Sequence, residues 1–260
     1  MTIKLLGALL VAIASSTALA QTDTGSISVE VSGAVANPGF FTFEPDARLN
    51  NAAVAAQVSS QAWFLGAALL RDKAIEPQQR LKAGVLFELG ANRVYAQAEK
   101  NSALGELVDR LYSSVQAMPV TGRVVAELDP LQQLLIANNS LLESGDRLIY
   151  PRRPDQVRVT GAVAEDCVLP HDAAWQLTDY LKQCPAHKMA ERSVAYVIQP
   201  NGSWDTYGIA YWNHQPAEVA VGAVIYLPLR TSGLSPATTE LNEDMARMLA
   251  TQYQLGGAFQ

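Results

Sequence analysis

The chain has 260 residues, of which 49% are hydrophobic, and 25 acidic against 19 basic side chains leave a net charge of −6. That balance argues against a nucleic-acid binder, which needs a basic face, and against simple adhesion to anionic lipid. Three histidines and two cysteines leave little material for metal or thiol chemistry.

The first 20 residues carry Lys4, an apolar run from Leu5 to Ile13, and Ala18-Leu19-Ala20 before Gln21. This is the layout of a cleaved secretory signal, and the run is too short to span a bilayer. With Gln21 and not a cysteine after the expected cut, a lipid-anchored form is not expected. Cleavage would remove Lys4 and no acid, giving −7. The mature protein is expected to be soluble in an exported compartment.

Ile27 to Val35 alternates in polarity as a half-buried strand does. Asn37-Pro38-Gly39 signals a turn and Phe40 to Phe43 resumes an extended run, so a β-hairpin is expected. A helix beginning at Asp46 or Asn50 should carry Leu49, Ala53 and Val54. Trp63 and Phe64 then read as hinge packing or as a site. From about 75 to 118 the pattern turns helical: Leu81, Val85, Leu86 and Leu89 share one face, and Leu104, Leu107, Leu111 and Val115 another. Glu99 to Ser102 makes a polar joint, so an antiparallel helical hairpin is predicted. The segment closes on Gly145-Asp146-Arg147-Leu148-Ile149-Tyr150-Pro151, and Pro151-Arg152-Arg153-Pro154 reads as a stiff linker.

The chain then repeats itself. Val31-Ser32-Gly33-Ala34-Val35-Ala36 recurs as Val159-Thr160-Gly161-Ala162-Val163-Ala164, and Gly222-Ala223-Val224-Ile225-Tyr226-Leu227-Pro228 matches the earlier closing. Two matched openings and closings predict one β-rich unit built twice. Gly33 to Gly145 spans 112 positions and Gly161 to Gly222 only 61, so the helical hairpin is an insertion of about 51 in the first copy. In the second copy strands are expected at Gln156 to Val163, Cys167 to Leu169, Val194 to Gln199, near Tyr207 to Trp212, and at Ala223 to Leu227. A helix from about Asp172 should bury Trp175, Leu177, Tyr180 and Leu181. A hairpin, a helix across it and returning strands are the parts of a β-grasp domain. The fold class is therefore α+β, with two tandem β-grasp domains at 21–153 and 154–230, after the signal at 1–20. The tail, 231–260, should form an amphipathic helix starting at Ser235-Pro236, with Leu241, Met245, Met248 and Leu249 on one side. That side needs cover from its own domain, from a partner subunit or from a membrane.

Val31-x-Gly33-Ala-Val-x-x-Pro38-Gly39-Phe40 resembles the opening of soluble-ligand-binding β-grasp domains of polysaccharide export proteins. The ordered set is more specific. It comprises the hairpin insertion, Pro119-Val120-Thr121-Gly122-Arg123, the Leu142 to Pro154 closing, Trp212-Asn213, and Gly222 to Pro228. With the signal and the tail helix, it resembles the capsule-biosynthesis GfcC-like family across nearly all of the mature chain. The resemblance implies a periplasmic, non-catalytic accessory protein of capsule or exopolysaccharide export. Its domains would be akin to those of the Wza-type exporter, its partners the outer-membrane export machinery or the polymer itself, and it would need no cofactor. One departure stands out: Glu165-Asp166-Cys167 replaces Asn37-Pro38-Gly39 at the second hairpin turn.

No nucleophile elbow, zinc-binding helix or phosphate loop is present. His171-Asp172 would suit a base with its orienting carboxylate, or Asp172 a helix cap. A polysaccharide-modifying enzyme using a carboxylate pair is the rival class, and a stand-alone glycan-binding module a third reading. Arg123 could clamp an acidic sugar or a partner carboxylate, or pack the hairpin against the sheet. Trp204, Tyr207, Tyr211 and Trp212 could form a stacking platform for sugars, or belong to strands and core, Trp212 above all. Cys167 and Cys184 could form a disulfide across a short loop or remain buried thiols. No metal site is expected, because no histidine stands at ligand spacing beside them.

Overall fold

The computed structural model describes residues 25–255 and 258–259; the expected signal segment lies outside them. Two five-stranded sheets and five α-helices form an α+β fold. The first sheet contains β1 (Ile27–Gly33), β2 (Gly39–Phe43), β3 (Ala68–Leu70), β4 (Arg123–Val124) and β5 (Arg147–Tyr150), in the order β2-β1-β5-β3-β4. The second contains β6 (Gln156–Gly161), β7 (Cys167–Pro170), β8 (Val194–Ile198), β9 (Trp204–Gly208) and β10 (Val224–Leu227), in the order β7-β6-β10-β8-β9. Both orders read second-first-fifth-third-fourth, with the first and last strands parallel at the centre. The duplication in sequence is a duplication in topology.

The repeated phrase marks a tight crossing. Gly33 and Gly161 have φ of +95° and +99°, a region open to glycine. A Cβ there would lie 2.2 Å from the Tyr150 carbonyl oxygen and 2.3 Å from that of Leu227. The next residues donate to the same carbonyls: Ala34 N–H to Tyr150 at 2.6 Å and Ala162 N–H to Leu227 at 2.7 Å. Glycine is thus required where the first strand of each copy bends over the end of its last.

One helix packs in each sheet's core: α1 (Leu49–Ala55) with Val29, Val31, Leu148 and Tyr150, and α4 (Leu177–Gln183) with Val157, Val159 and Ile225. The insertion is a hairpin of α2 (Ile75–Ala98) and α3 (Ser102–Ala117), with Asn101 capping the second helix through Leu104 N–H. Its apolar face joins the core of the second sheet: Val85, Leu89, Leu107 and Leu111 cluster with Tyr226 and Leu249. Arg110 of α3 donates to the carbonyls of Gly161 at 2.9 Å and Val163 at 2.7 Å, and pairs with Asp166 at 2.9 Å. Asp166 also accepts from the Thr160 hydroxyl. The acidic turn that departs from Asn37-Pro38-Gly39 is therefore the receptor for the insertion's arginine.

The tail helix, α5 (Leu241–Ala250), lies against β8, β9 and α2. Leu241, Met245, Met248 and Leu249 are buried, and Asn242 bonds the Tyr226 hydroxyl at 3.0 Å. The apolar side that sequence left open to a partner or membrane is thus covered within the chain. No helix among the described residues is long and apolar enough to cross a membrane. Two helix starts differ from expectation. The tail helix begins at Leu241, because Ser235 and Thr238 are fastened to the buried amide of Asn92 on α2. Helix α4 begins at Leu177, where Asp179 accepts from Gln176 N–H at 3.0 Å. Asp172 does not cap it and instead accepts from Ala174 N–H in a preceding turn.

Candidate functional site

Arg123 opens β4, on the face shared with Ala68 and Leu70 of β3. It is only 7% exposed. Its guanidinium donates to the carbonyls of Ala67 beside β3, Pro200 in the β8–β9 turn, and Gln252 beyond α5. No Asp or Glu stands within ion-pair distance of it among the described residues. Burial pulls its pKa down to about 10, so it stays charged at neutral pH. Arg123 is a bolt through three segments of the chain. Thr121 strengthens the joint by donating to the Thr251 carbonyl at 2.6 Å, and Trp63 crosses it to pack beside Gly222.

The aromatic residues of the β9 region do not form one platform. Trp204 pairs opposite Ile198 and Tyr207 opposite Ala195, and residues three apart on a strand face opposite sides. Trp204 packs on Tyr196 with ring centroids 5.8 Å apart. Tyr207 is partly buried against the second core. Tyr211 and Trp212 lie beyond the strand, at 101% and 79% exposure. Trp212 is therefore not a core residue. The expected strand at Tyr207 to Trp212 ends at Gly208, because Asn213 turns the chain there: its side chain accepts from Ala210 N–H and donates to the Ser193 carbonyl.

Cys167 and Cys184 are joined in a disulfide that ties the start of β7 to the end of α4. It closes a sequence loop of 17 that contains one wall of a broad hollow. That hollow, about 810 Å³, opens beside the second sheet. Its floor and walls include Trp175, His171, Asp172, Gln176, Gln199 and Glu218. Trp175 is half-buried and stands edge-on to Tyr180 at 5.1 Å, which leaves part of its indole to the hollow. His171 Nε2 lies 3.1 Å from the Val219 carbonyl oxygen. Gln199 braces the opposite wall by donating to the Glu218 carbonyl at 2.7 Å. The Tyr180 hydroxyl meets the backbone of Asp172, accepting from its N–H at 3.0 Å. These bonds fix the loops before any ligand arrives, which lowers the ordering cost of binding.

An indole wall among planar amides and carboxylates matches the chemistry of a sugar: apolar C–H faces for stacking, and hydroxyls for hydrogen bonds. Among the described residues no three His, Cys, Asp or Glu side chains gather where a metal ion would sit. Sequence reasoning singled out His171 and Asp172 but missed the hollow. Its walls come from loops at 171–176 and 216–220, which carry no periodic signal, and only the sheet brings them together.

Comparison with known proteins bears on the same region. Residues 166–253 match the family model described as Capsule biosynthesis GfcC C-terminal. The chain is also 26% identical over 191 residues to the Uncharacterized protein YjbG of Escherichia coli (strain K12), covering 73% of this chain and 76% of that protein. Every residue lining the large hollow except Leu65 falls within the matched 166–253.

Proposed function

We propose that this GfcC-like chain serves the assembly or export of a capsule-type surface polysaccharide, in an exported compartment, by holding polymer in the hollow beside its second sheet. The observation that carries the reading is the coincidence just described: a hollow of about 810 Å³ with an indole in its wall lies, Leu65 apart, in the segment that matches the capsule-biosynthesis family. The mode of action is binding. His171 has a ring nitrogen engaged with a backbone carbonyl, and Asp172 accepts from Ala174 N–H, so both side chains hold the loop that forms the wall.

The test is titration of purified surface polysaccharide into the full mature chain and its Trp175→Ala variant, with folding checked by circular dichroism. Loss of the indole should weaken binding by about tenfold, the equivalent of ~1.4 kcal/mol. Unchanged binding by a folded variant would remove the hollow from the account. The enzyme reading has one observation in its favour, the presence of Asp172 and Glu218 in the same hollow. Incubation of polymer with the protein should leave its chain length unchanged. Shortening that is lost in Glu218→Gln would replace binding with hydrolysis. In cells lacking the gene, surface polymer should fall while lipid-linked precursor persists.

A further inference from the structure

We infer that the polymer track continues across the junction between the two units, and that it accepts an uncharged or amine-bearing glycan and rejects a polyuronate. The inference rests on the binding reading above and deepens it. A second hollow of about 440 Å³ opens beside the first and shares Leu65 and Asn201 with it. Its far walls belong to the first unit, with Phe64, Glu127, Asp129 and Gln132 among them. Leu65 is a partly exposed ridge and Asn201 the tip of the β8–β9 turn, so the two hollows form one trough with a low sill.

The sill is rigid. Arg123 donates to the carbonyl of Pro200, the residue before Asn201, and Asn201 itself accepts from the Ser203 N–H and hydroxyl. The guanidinium thus stands buried behind the wall with both terminal nitrogens bonded to backbone carbonyls, and is not available to meet a sugar carboxylate.

The charges that do face the trough are of one sign. Asp172 and Glu218 line the first hollow, Glu127 and Asp129 the second, and no Lys or Arg lines either. None of the four makes an ion pair with a Lys or Arg among the described residues. Glu127, Asp129 and Asp172 each accept a backbone N–H, which holds them in place without neutralising them, and a concave wall of carboxylates with no basic partner attracts cations and repels anions at encounter and in the bound state. Indole and amide groups supply contacts to any sugar; the carboxylates decide among sugars by charge.

The test is calorimetric titration of the mature chain at low salt with three hexamers: deacetylated chitohexaose, its N-acetylated form, and hexagalacturonate. The expected affinities fall in that order. The double variant Glu127→Gln, Asp129→Asn should weaken the deacetylated hexamer by about fivefold, leave the N-acetylated hexamer unchanged, and leave the deacetylated dimer, which fits the first hollow alone, unchanged. Hexagalacturonate binding as tightly as the neutral hexamer, and losing affinity in Trp175→Ala, would overturn the charge selection while upholding the binding reading. A deacetylated hexamer indifferent to the double variant would overturn the continuation across the junction. If neither the three hexamers nor the native polysaccharide binds, this inference and the reading beneath it fall together.

Discussion

The two sheets have the same strand order and the same glycine crossing, yet they are finished differently. The second sheet is covered on both faces, by α4 on one and by α5 with the inserted hairpin on the other. On the first, α1 covers one face, and Ala68, Leu70 and Ile149 of the other are met by Tyr253 from the chain's end. The hairpin is encoded in the first copy but completes the core of the second. Duplication therefore supplied two equivalent sheets, and the added segments made one of them dependent on the rest of the chain. A β-grasp sheet of this size buries little by itself, and the second copy gains a larger core by borrowing.

That asymmetry can be broken. Ending the chain at Gly233 removes α5 and exposes Tyr196, Tyr226 and Ile198, along with the α2 face beneath it. The largest effect is expected here: loss of cooperative unfolding in the second sheet, read as a lost thermal transition by calorimetry. A fully folded truncated protein would show the sheet to be self-sufficient. Next is Arg123→Met, which leaves three carbonyls without their donor at the joint between the halves. A loss of about 3 to 5 kcal/mol in denaturant unfolding is expected, with faster proteolysis of the segment after Thr251.

The sameness of the copies is sharpened by Gly33→Ala and Gly161→Ala, made separately. Each places a methyl group where a backbone carbonyl already stands, at 2.2 and 2.3 Å. Each should cost about 3 kcal/mol, and near-equal losses would mark the crossings as equivalent. Unequal losses would mean that the covered sheet enforces its crossing more strictly. Replacing both Cys167 and Cys184 with serine should remove about 3 kcal/mol, an effect confined to the second copy because the first has no counterpart bond. The smallest change is expected for Trp212→Ala: within about 0.5 kcal/mol, as at an exposed position. A large loss there would contradict its 79% exposure.

Much of the fold was readable in the residues because the signals are local. Glycine, proline and alternating polarity mark hairpins, and a 3.6-residue period marked the insertion almost to the residue. What failed was also local reasoning, applied where distant partners intervene. Ser235-Pro236 looks like a helix start until Asn92 claims Ser235 and Thr238. Trp212 looks like core until the turn around Asn213 points it outward. Arg123 could be read locally as a ligand clamp or as a packing residue, and it is the three carbonyls from separate segments that give it the second role.

By itself the sequence determined the repeated unit, its α+β class, the helical insertion and the two cysteines available for a bond. Each of these follows from short-range stereochemistry, above all from φ angles that only glycine adopts readily and from the spacing of apolar residues along an element. Only the tertiary structure decided which sheet the insertion completes, that the tail helix is covered within the chain, and that loops from both units meet at one acidic trough. Those outcomes depend on burial and on hydrogen bonds between residues from 51 positions apart, as for Arg110 and Gly161, to 146, as for Asn92 and Thr238, where the choice of partner is made by shape and desolvation and leaves no mark in local pattern.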